Sequence, residues 1–385
     1  MAVVGLGRAF TLMLPTFKRH ARVELVAAAD PREDARRRFA QDFGGRAYAT
    51  LEELCADRDV EAVYVATPHE DHAAHASAVM GAGKHVLVEK PMATTLADAE
   101  AIVDAARATG MQVVVGPSHS FDAPIARARA LVASGELGRV RMITALNFTD
   151  FLYRPRRPEE LDAAKGGGVT LTQAAHHVDI VRLLGGGRVK SVRAASGAWD
   201  PARPVDGAYA VLLTFDDGAF ASLSYSGYGH FDADELCGGV SELGREKDAA
   251  AYGAARKALA GVDPAAEAEA KNARNYGGAN YREPTDAPWH EHFGFLVVSC
   301  EEGDIRPTPR GVWVYGNAQR RHEELAKPAV PRAEVLDELC DAVIGARRPL
   351  HDGAWGLATL EACLAIRRSA EEGREIELRH QVPVR

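Results

Sequence analysis

Gly83-Lys84-His85-Val86-Leu87-Val88-Glu89-Lys90-Pro91 is the stretch that decides the fold class of this chain. The apolar run from Val86 to Val88 predicts a buried parallel strand, and it stops abruptly at a carboxylate, an ammonium group and a proline. Open α/β sheets bind their ligands at the carboxyl ends of their strands. Glu89 and Lys90 are therefore predicted to lie at a ligand-binding edge.

Strand and helix patterns alternate around this stretch through residue 120. Further apolar runs at residues 2–4, 23–29, 60–65 and 112–116 predict strands, and helical periodicity lies between them. This alternation predicts an α/β fold that begins with a Rossmann domain, a doubly wound parallel sheet over residues 1–120.

A different pattern follows over residues 121–385. Predicted strands at 140–148, 189–199, 208–215, 219–226 and 293–300, with an Asp216-Asp217-Gly218 turn, indicate an α+β domain with a mostly antiparallel open sheet. Residues 232–292 are predicted to be an insertion, helical over 246–275. Helices at 332–344 and 355–371 are expected to pack back onto the first domain.

Composition narrows the class of partner. A net charge of −8 argues against a nucleic-acid or anionic-membrane surface. No apolar run reaches the roughly 20 residues that a membrane span requires. The 5 cysteines stand singly, which is typical of reduced thiols rather than disulfides or zinc sites. We therefore expect a cytoplasmic protein with a small-molecule substrate and no nucleic-acid or membrane partner.

Two glycines follow the first predicted strand, in Gly5-Leu6-Gly7-Arg8-Ala9-Phe10. This spacing allows a tight turn close to a pyrophosphate, which the amides of the next helix would bind. Phe10 stands where the dinucleotide fingerprint has glycine or alanine, so an accidental glycine-rich turn is the alternative. All six residues are predicted cofactor contacts.

Asp30 ends the second predicted strand, 23 residues after Gly7. A carboxylate at about this spacing binds the ribose hydroxyls of a dinucleotide. It would repel a 2′-phosphate and so favours NAD, although Arg8, Arg32 and Arg36 keep NADP open. Asp30 could instead cap the helix that starts at Pro31. Asp30 and Arg32 are predicted cofactor contacts.

A histidine-rich segment follows the strand that ends at residue 65. The predicted contacts on the nicotinamide side are Thr67, Pro68, His69, His72, Glu89 and Lys90. His69, His72 and His75 are spaced by three residues, as in some metal sites, but no nearby carboxylate or cysteine set completes them. No metal is predicted.

A second group of polar residues follows the glycine triplet 166–168. Thr172, His176 and Asp179 recur at i, i+4 and i+7, which would place them on one helix face. His176 could transfer a proton there, although His176 and His177 could equally be buried and only hydrogen-bonded.

Three arginines precede the glycine triplet, at 154, 156 and 157. Guanidinium groups bind carboxylates bidentately, so they could clamp an acidic substrate. A solvated basic loop that pairs with Glu159 and Glu160 is the alternative. The predicted substrate-binding residues are His119, Arg154, Arg157, Thr172 and His177.

Together these motifs resemble the Gfo/Idh/MocA family of NAD(P)-dependent oxidoreductases over nearly the whole chain. The motifs are Gly5-x-Gly7, Asp30, Thr67-Pro68 with His72, Glu89-Lys90-Pro91, the triplet-led helix with His176 and Asp179, and Arg348-Pro349-Leu350-His351-Asp352-Gly353. The resemblance implies that Lys90 and His176 are catalytic and that the cofactor is a nicotinamide. It also implies a homo-dimer or homo-tetramer formed through the open sheet.

One departure concerns Thr172, where many family members carry an aspartate. The lysine–aspartate–histidine relay of inositol and sugar dehydrogenases is therefore incomplete, so Lys90 or His176 must carry the acid–base chemistry. Residues 151–161 and the Gln173-Ala174-Ala175-His176 segment resemble the subgroup of 4,5-dihydroxyphthalate (phthalate cis-dihydrodiol) dehydrogenases.

The sequence thus predicts an NAD(P)-dependent dehydrogenase acting on CH-OH or CH-CH groups. The expected reaction is oxidation of an aromatic cis-dihydrodiol, such as a dihydroxy-dihydrophthalate, to a catechol. Two alternatives stay open: a sugar or cyclitol dehydrogenase of the same family, and a catalytically silent sensor that binds the dinucleotide.

Overall fold

The structure is a computed structural model that describes all residues from 1 to 385. The strands are β1 Ala2–Val4, β2 Ala27–Ala29, β3 Arg46–Tyr48, β4 Ala62–Val65, β5 His85–Val88, β6 Val113–Val115, β7 Val140–Phe148, β8 Val189–Gly197, β9 Ala208–Phe215, β10 Phe220–Ser226, β11 Phe295–Cys300, β12 Gly303–Thr308, β13 Gly311–Gly316, β14 Arg320–Glu324 and β15 Ile376–Glu377. The α-helices are α1 Arg8–Arg19, α2 Glu33–Phe43, α3 Leu51–Cys55, α4 His72–Gly81, α5 Leu96–Thr109, α6 Ala123–Ser134, α7 Val169–Thr172, α8 Ala174–Leu184, α9 Ala254–Leu259, α10 Pro264–Asn272, α11 Ala333–Val343 and α12 Gly353–Glu372.

The chain forms two compact units, and each is built from three segments. The first unit comprises residues 1–117, 265–286 and 329–360, and the second comprises 118–264, 287–328 and 361–385. Instead of one division at residue 120, two later segments return to the first unit. We call residues 265–286 the returning segment. The functional limits of the two domains stay a prediction.

A six-stranded parallel sheet forms the centre of the first unit, in the order β3-β2-β1-β4-β5-β6. This is the predicted doubly wound sheet. The strand order reverses between β1 and β4, and sheets of this type bind ligands at that reversal. The glycine turn after β1 and the loop after β4 therefore lie on either side of the expected binding crevice.

Residues near the end of the chain complete the packing beside β6. The amide of Val115 donates a hydrogen bond to the carbonyl of His351 at 2.8 Å. Trp355 is buried, and a Cβ at Gly356 would lie 2.6 Å from Val115 and 2.7 Å from Met92. Glycine at 356 is therefore what lets α12 approach this closely.

A nine-stranded sheet forms the second unit, in the order β14-β13-β12-β11-β7-β10-β9-β8-β15. All of its pairs are antiparallel except β7 with β10. The predicted, mostly antiparallel sheet is confirmed. β12 to β14 were not predicted, and of these β14 reads Arg-Arg-His-Glu-Glu and lacks apolar alternation, whereas β13 carries the strand-forming run Val-Trp-Val-Tyr.

The prediction that residues 246–275 are helical is confirmed only in part. The segment contains only α9 and α10, both short, and Gly253 and Gly261 adopt the left-handed conformation around α9. These glycines interrupt a composition that otherwise favours a continuous helix.

Large apolar side chains are exposed on neighbouring strands of the second sheet. Met142 and Phe220 are register partners, and Leu212 lies opposite Ser222 on the next strand. Because residues two apart share a face, all three lie on one face of the sheet. No helix of the chain combines the length and apolar composition that crossing a bilayer requires.

Gly5 provides a test of the strand-to-helix turn. Its φ is +91°, and a Cβ would lie 2.6 Å from the Ala66 carbonyl oxygen. Gly110 has a similar φ of +72° but open space around the Cβ position. We expect Gly5→Ala to lower the free energy of unfolding by about 3 kcal/mol and Gly110→Ala by about 1 kcal/mol. Urea unfolding monitored by circular dichroism measures both, and equal losses would contradict the close approach at Gly5.

Candidate active site

The glycine turn of the first unit has the features of an anion-binding site. No side chain caps α1 at Gly7, and no acidic residue lies in the first turn of that helix. Gly5 allows the backbone to pass close to Ala66. These residues fit the pyrophosphate of a dinucleotide, since a helix N-terminus favours negative charge. Phe10, at the departing fingerprint position, is fully buried, so its ring is part of the core.

Asp30 connects the glycine turn to the end of β2. Its carboxylate accepts hydrogen bonds from the amides of Leu6, at 2.7 Å, and Arg32, at 2.9 Å, and from the Arg32 guanidinium, at 3.1 Å. The Arg32 guanidinium also donates to the Leu6 carbonyl at 2.8 Å. The alternative that Asp30 caps α2 is wrong, because Arg32 occupies the N-cap position. Asp30 therefore stabilises the glycine turn, and it does so from the position where a ribose-binding carboxylate is predicted.

The end of β5 presents a buried carboxylate next to a partly exposed lysine. The Tyr64 hydroxyl donates a hydrogen bond to Glu89, which is buried. Burial raises the pKa of Glu89, and the neighbouring Lys90 charge and the Tyr64 hydroxyl oppose that rise. Lys90 is partly exposed and is joined to Pro91 by a cis peptide bond. Glu89 is thus held in place by Tyr64, and its predicted role as an orienting group stays a prediction.

His72 links two loops of the first unit. Its ring nitrogens lie 2.9 Å from the carbonyl oxygens of Pro91 and Thr67. The side chain is fully buried, and that burial lowers its pKa, although both carbonyl contacts oppose the shift. His72 therefore holds the loop after β4 to the Lys90-Pro91 segment. His69 packs edge-on against it, with ring centroids 5.6 Å apart.

The glycine triplet of the second unit leads into two helices rather than one. Asp206 caps α7, because its carboxylate accepts the Thr170 amide at 2.7 Å. α7 ends at Thr172, α8 begins at Ala174, and the Thr172 hydroxyl donates to the Gly168 carbonyl at 2.6 Å. The predicted face is therefore interrupted: His176 and Asp179 lie three residues apart on α8, whereas Thr172 ends α7 before Gln173.

An aromatic cluster surrounds His176 on α8. The His176 ring lies 4.8 Å from the rings of His119 and Phe293. His119 is oriented by Asp122, whose carboxylate lies 2.7 Å from Nδ1 of the histidine. The structure thus brings together His119 and His176, two of the predicted site residues. The sequence analysis missed Phe293 and Asp122, which carry no motif of their own.

His177 has one ring nitrogen without a partner. Nδ1 lies 2.9 Å from the Tyr209 hydroxyl, whereas Nε2 is buried with no hydrogen-bond partner. Burial lowers the pKa of His177 to about 3, so the ring is neutral at physiological pH. A buried, unsatisfied nitrogen is costly and calls for a ligand or other explanation.

The three arginines occupy different surroundings. Arg154 lies between Asp150, at 3.2 Å, and Glu242, at 3.4 Å. Arg156 stacks 3.6 Å above the Phe151 ring, and burial lowers its pKa to about 10 despite the nearby Glu160 charge. Arg157 is partly exposed, and its Nε lies 3.7 Å from Glu160. Arg156, whose side chain is 11% exposed, has the desolvated setting that an anionic ligand would favour, whereas the side chains of Arg154 and Arg157 are 42% and 35% exposed.

Glu242 is a buried carboxylate beside Arg154 that was not among the predicted site residues. It accepts a hydrogen bond from Asn147 at 2.9 Å, and the Arg154 charge holds its pKa below the usual range although burial opposes this. Burial and that same carboxylate raise the pKa of Tyr225. Glu242 lies in the predicted insertion, where no periodicity distinguishes it. Asn147 offered a signal, since it is a polar residue at a buried position near the end of β7.

One group of side chains has the composition of a cation site. Ligand atoms of His119, Asp122 and Glu291 lie within 4.8 Å of one another. One imidazole and two carboxylates suit several divalent metals, but the hydrogen-bonded His119–Asp122 pair explains their proximity equally well. The histidines at 69, 72 and 75 form no such group.

Comparisons with known proteins agree with the geometry. A family model described as an oxidoreductase family with an NAD-binding Rossmann fold matches residues 1–117, and the GFO/IDH/MocA C-terminal domain matches residues 125–237. The 1-carboxy-3-chloro-3,4-dihydroxycyclohexa-1,5-diene dehydrogenase of Comamonas testosteroni is 47% identical over 95% of this chain and 93% of that protein. The trans-1,2-dihydrobenzene-1,2-diol dehydrogenase of Macaca fascicularis is 32% identical over 46% of this chain and 53% of that protein.

The same fold has been solved in a related protein. The crystal structure of a dehydrogenase from Bordetella bronchiseptica RB50 matches with a TM-score of 0.93 and 40% identity, over 98% of this chain and 99% of that one. The resemblance inferred from the motifs is confirmed. With its parallel nucleotide-binding sheet, its open mixed sheet and a relative 47% identical along nearly its full length, the chain belongs to the Gfo/Idh/MocA family of oxidoreductases.

Proposed function

We propose that this protein is an NAD-dependent dehydrogenase that oxidises a carboxylated cyclic cis-dihydrodiol to a catechol. The observation that carries the proposal is the polar interior of the second unit. It combines the His119–His176 pair, the unsatisfied Nε2 of His177 and the desolvated guanidinium of Arg156. Such a set suits a substrate that has both hydroxyl and carboxylate groups.

The relatives support the substrate class. The Comamonas testosteroni protein is named for a substrate with a carboxyl group and two hydroxyl groups on a cyclohexadiene ring. The macaque relative is named for a dihydrobenzene diol. Both names describe oxidation of a hydroxylated, non-aromatic six-membered ring. We transfer that class of substrate, but not a particular compound, to this chain.

NAD is the proposed cofactor, with NADP as the alternative. Asp30 lies where a ribose-binding carboxylate is expected, and a 2′-phosphate there would meet like charge. Arg32 is paired with that carboxylate at 3.1 Å and so offsets part of this repulsion. Preference for NAD follows because the guanidinium is already engaged by Asp30 and Leu6.

The proposed chemistry assigns a role to each residue. The bound nicotinamide supplies a hydride acceptor. Lys90 accepts the proton of the reacting hydroxyl as the hydride leaves the carbon that bears this hydroxyl, and Glu89 orients the lysine. His176 holds a proton at the substrate oxygen, with His119 and Asp122 positioning its ring. The ketone that forms tautomerises to an aromatic catechol, which draws the reaction forward.

We also propose a homo-oligomer, a dimer or a tetramer, that forms through the open sheet of the second unit. Met142, Leu212 and Phe220 expose apolar area on one face of that sheet, as subunit interfaces commonly do. A cytoplasmic location is proposed because the five cysteines are free thiols.

The main test follows NADH absorbance while the protein is offered NAD and a panel of cis-dihydrodiols, sugars and cyclitols. We expect turnover on a carboxylated dihydrodiol, with kcat about 10²- to 10⁴-fold lower in Lys90→Ala and His176→Asn. NADH binding and thermal unfolding of both variants serve as controls. Turnover on sugars alone would show that the substrate is a sugar and not a dihydrodiol. NAD binding without any turnover would support the sensor alternative.

Arginine variants test recognition of the carboxylate. We expect Arg156→Gln, and to a similar degree Arg154→Gln, to raise KM for a carboxylated dihydrodiol about tenfold or more, because a charge-assisted bond is lost. KM for the same ring without a carboxyl group should change little. Arg141→Gln is the matched control, since Arg141 is half-exposed and pairs with Glu301 on the sheet surface. An equal rise in KM for both substrates would show that the arginines do not recognise the carboxylate.

His177 should make the protein less stable in acid. Its folded pKa of about 3 lies below the ordinary value of 6.5, so the unfolded chain binds the extra proton between these pH values. Proton uptake by the unfolded chain has no effect on stability above pH 6.5. Below that pH it progressively lowers the free energy of unfolding. Between pH 7 and 4.5, we expect His177→Gln to lose about 2 to 3 kcal/mol less stability than the wild type. Urea titrations at both pH values measure this, and parallel losses in the two proteins would refute it.

A further inference from the structure

The returning segment packs against the cofactor end of the first unit, although most of the chain separates the two in sequence. Tyr276 is fully buried, and its ring meets the ring of Phe10 edge-on at 5.0 Å. The Tyr276 hydroxyl donates to Asp42 on α2 at 2.8 Å. Phe10 is the residue that departs from the dinucleotide fingerprint, so the segment covers the place where the fingerprint changes.

The contact between backbones is equally close. Gly277 has φ of +78°, and a Cβ there would lie 2.9 Å from Cα and 3.0 Å from the amide nitrogen of Ala35 in the first turn of α2. Only glycine permits this approach. Two ion pairs, Lys18 with Glu283 and Arg19 with Asp286, each at 2.8 Å, fix the end of the segment to α1.

One hydrogen bond connects this packing to the predicted ribose site. The Tyr276 carbonyl accepts from the Arg32 guanidinium at 3.2 Å. The same guanidinium donates to Leu6 in the glycine turn and to Asp30. Its donors are thereby directed to three protein acceptors, one of which belongs to the returning segment.

We propose that the returning segment is a cofactor-specificity element, in which Tyr276 and Gly277 position Arg32 so that the site accepts the ribose of NAD and resists NADP. The proposal rests on the proposed function of the first unit as the NAD site. Its physical basis is competition for guanidinium donors. A segment in place engages Arg32 through the Tyr276 carbonyl, whereas a displaced segment leaves a donor for a 2′-phosphate, which guanidinium groups bind strongly.

Gly277→Ala tests the proposal, because the added methyl must push the segment away from α2. Gly261→Ala is the matched control, with a similar φ of +76° and open space at the Cβ position. The readouts are Kd for NADH and for NADPH by fluorescence titration, kcat at saturating NAD, and Tm. For Gly277→Ala we expect Kd for NADH to rise about tenfold and Kd for NADPH to stay level or fall, with kcat within about twofold. Gly261→Ala should match the wild type in both Kd values and in kcat, with only the small fall in Tm that alanine at a left-handed position causes.

A double-mutant cycle with Arg32→Gln separates positioning from general damage. If the segment acts through Arg32, Gly277→Ala should add less than about twofold to the NADH Kd in the Arg32→Gln background. Should Gly277→Ala fail to fold, the Glu283→Gln/Asp286→Asn pair loosens the segment at its surface and should shift the Kd ratio in the same direction.

Unchanged Kd values in a folded Gly277→Ala protein, or additive losses in the cycle, would overturn the proposal. A wild type that binds neither dinucleotide would instead overturn the proposed function of the first unit.

Discussion

The nucleotide end of the first unit depends on the buried carboxylate of Asp30. A carboxylate out of contact with water is tolerated only where hydrogen-bond donors and charge compensate it. Here the compensation comes from the Leu6 amide and from Arg32, which are the groups that give the glycine turn its shape. The same hydrogen bonds therefore fix the shape of the glycine turn and hold a negative charge at the end of β2.

The second unit meets a related constraint on α8, which is buried along its whole length. The polar residues on that helix need partners from other elements, and the fold supplies several of them. Ser120 donates to Asp179, Tyr209 faces His177, and His119 packs against His176. The helix therefore presents its histidines in a dry setting, where a hydrogen bond to a substrate is stronger than in water.

Much of the fold was accessible from the sequence, because the parallel sheet and β7 to β10 carry strong periodicity. Lys90 and Asp30 were accessible because each follows a short apolar run. Other features depend on partners distant in the chain. The start of α7 is fixed by Asp206, which lies 36 residues after Thr170, and Glu242 is recognisable only beside Arg154 and Asn147. β14 was missed because its neighbours, not its own composition, make it a strand.

The interleaving of the two units bears on how the protein is made. Residues 329–360 belong to the first unit, and His351 completes the hydrogen bonding of β6. A ribosome releases these residues only after residues 118–264 and 287–328 of the second unit, so the first unit cannot finish folding when residues 1–117 emerge. A fragment ending near residue 117 would lack the cover that Trp355 and its neighbours provide.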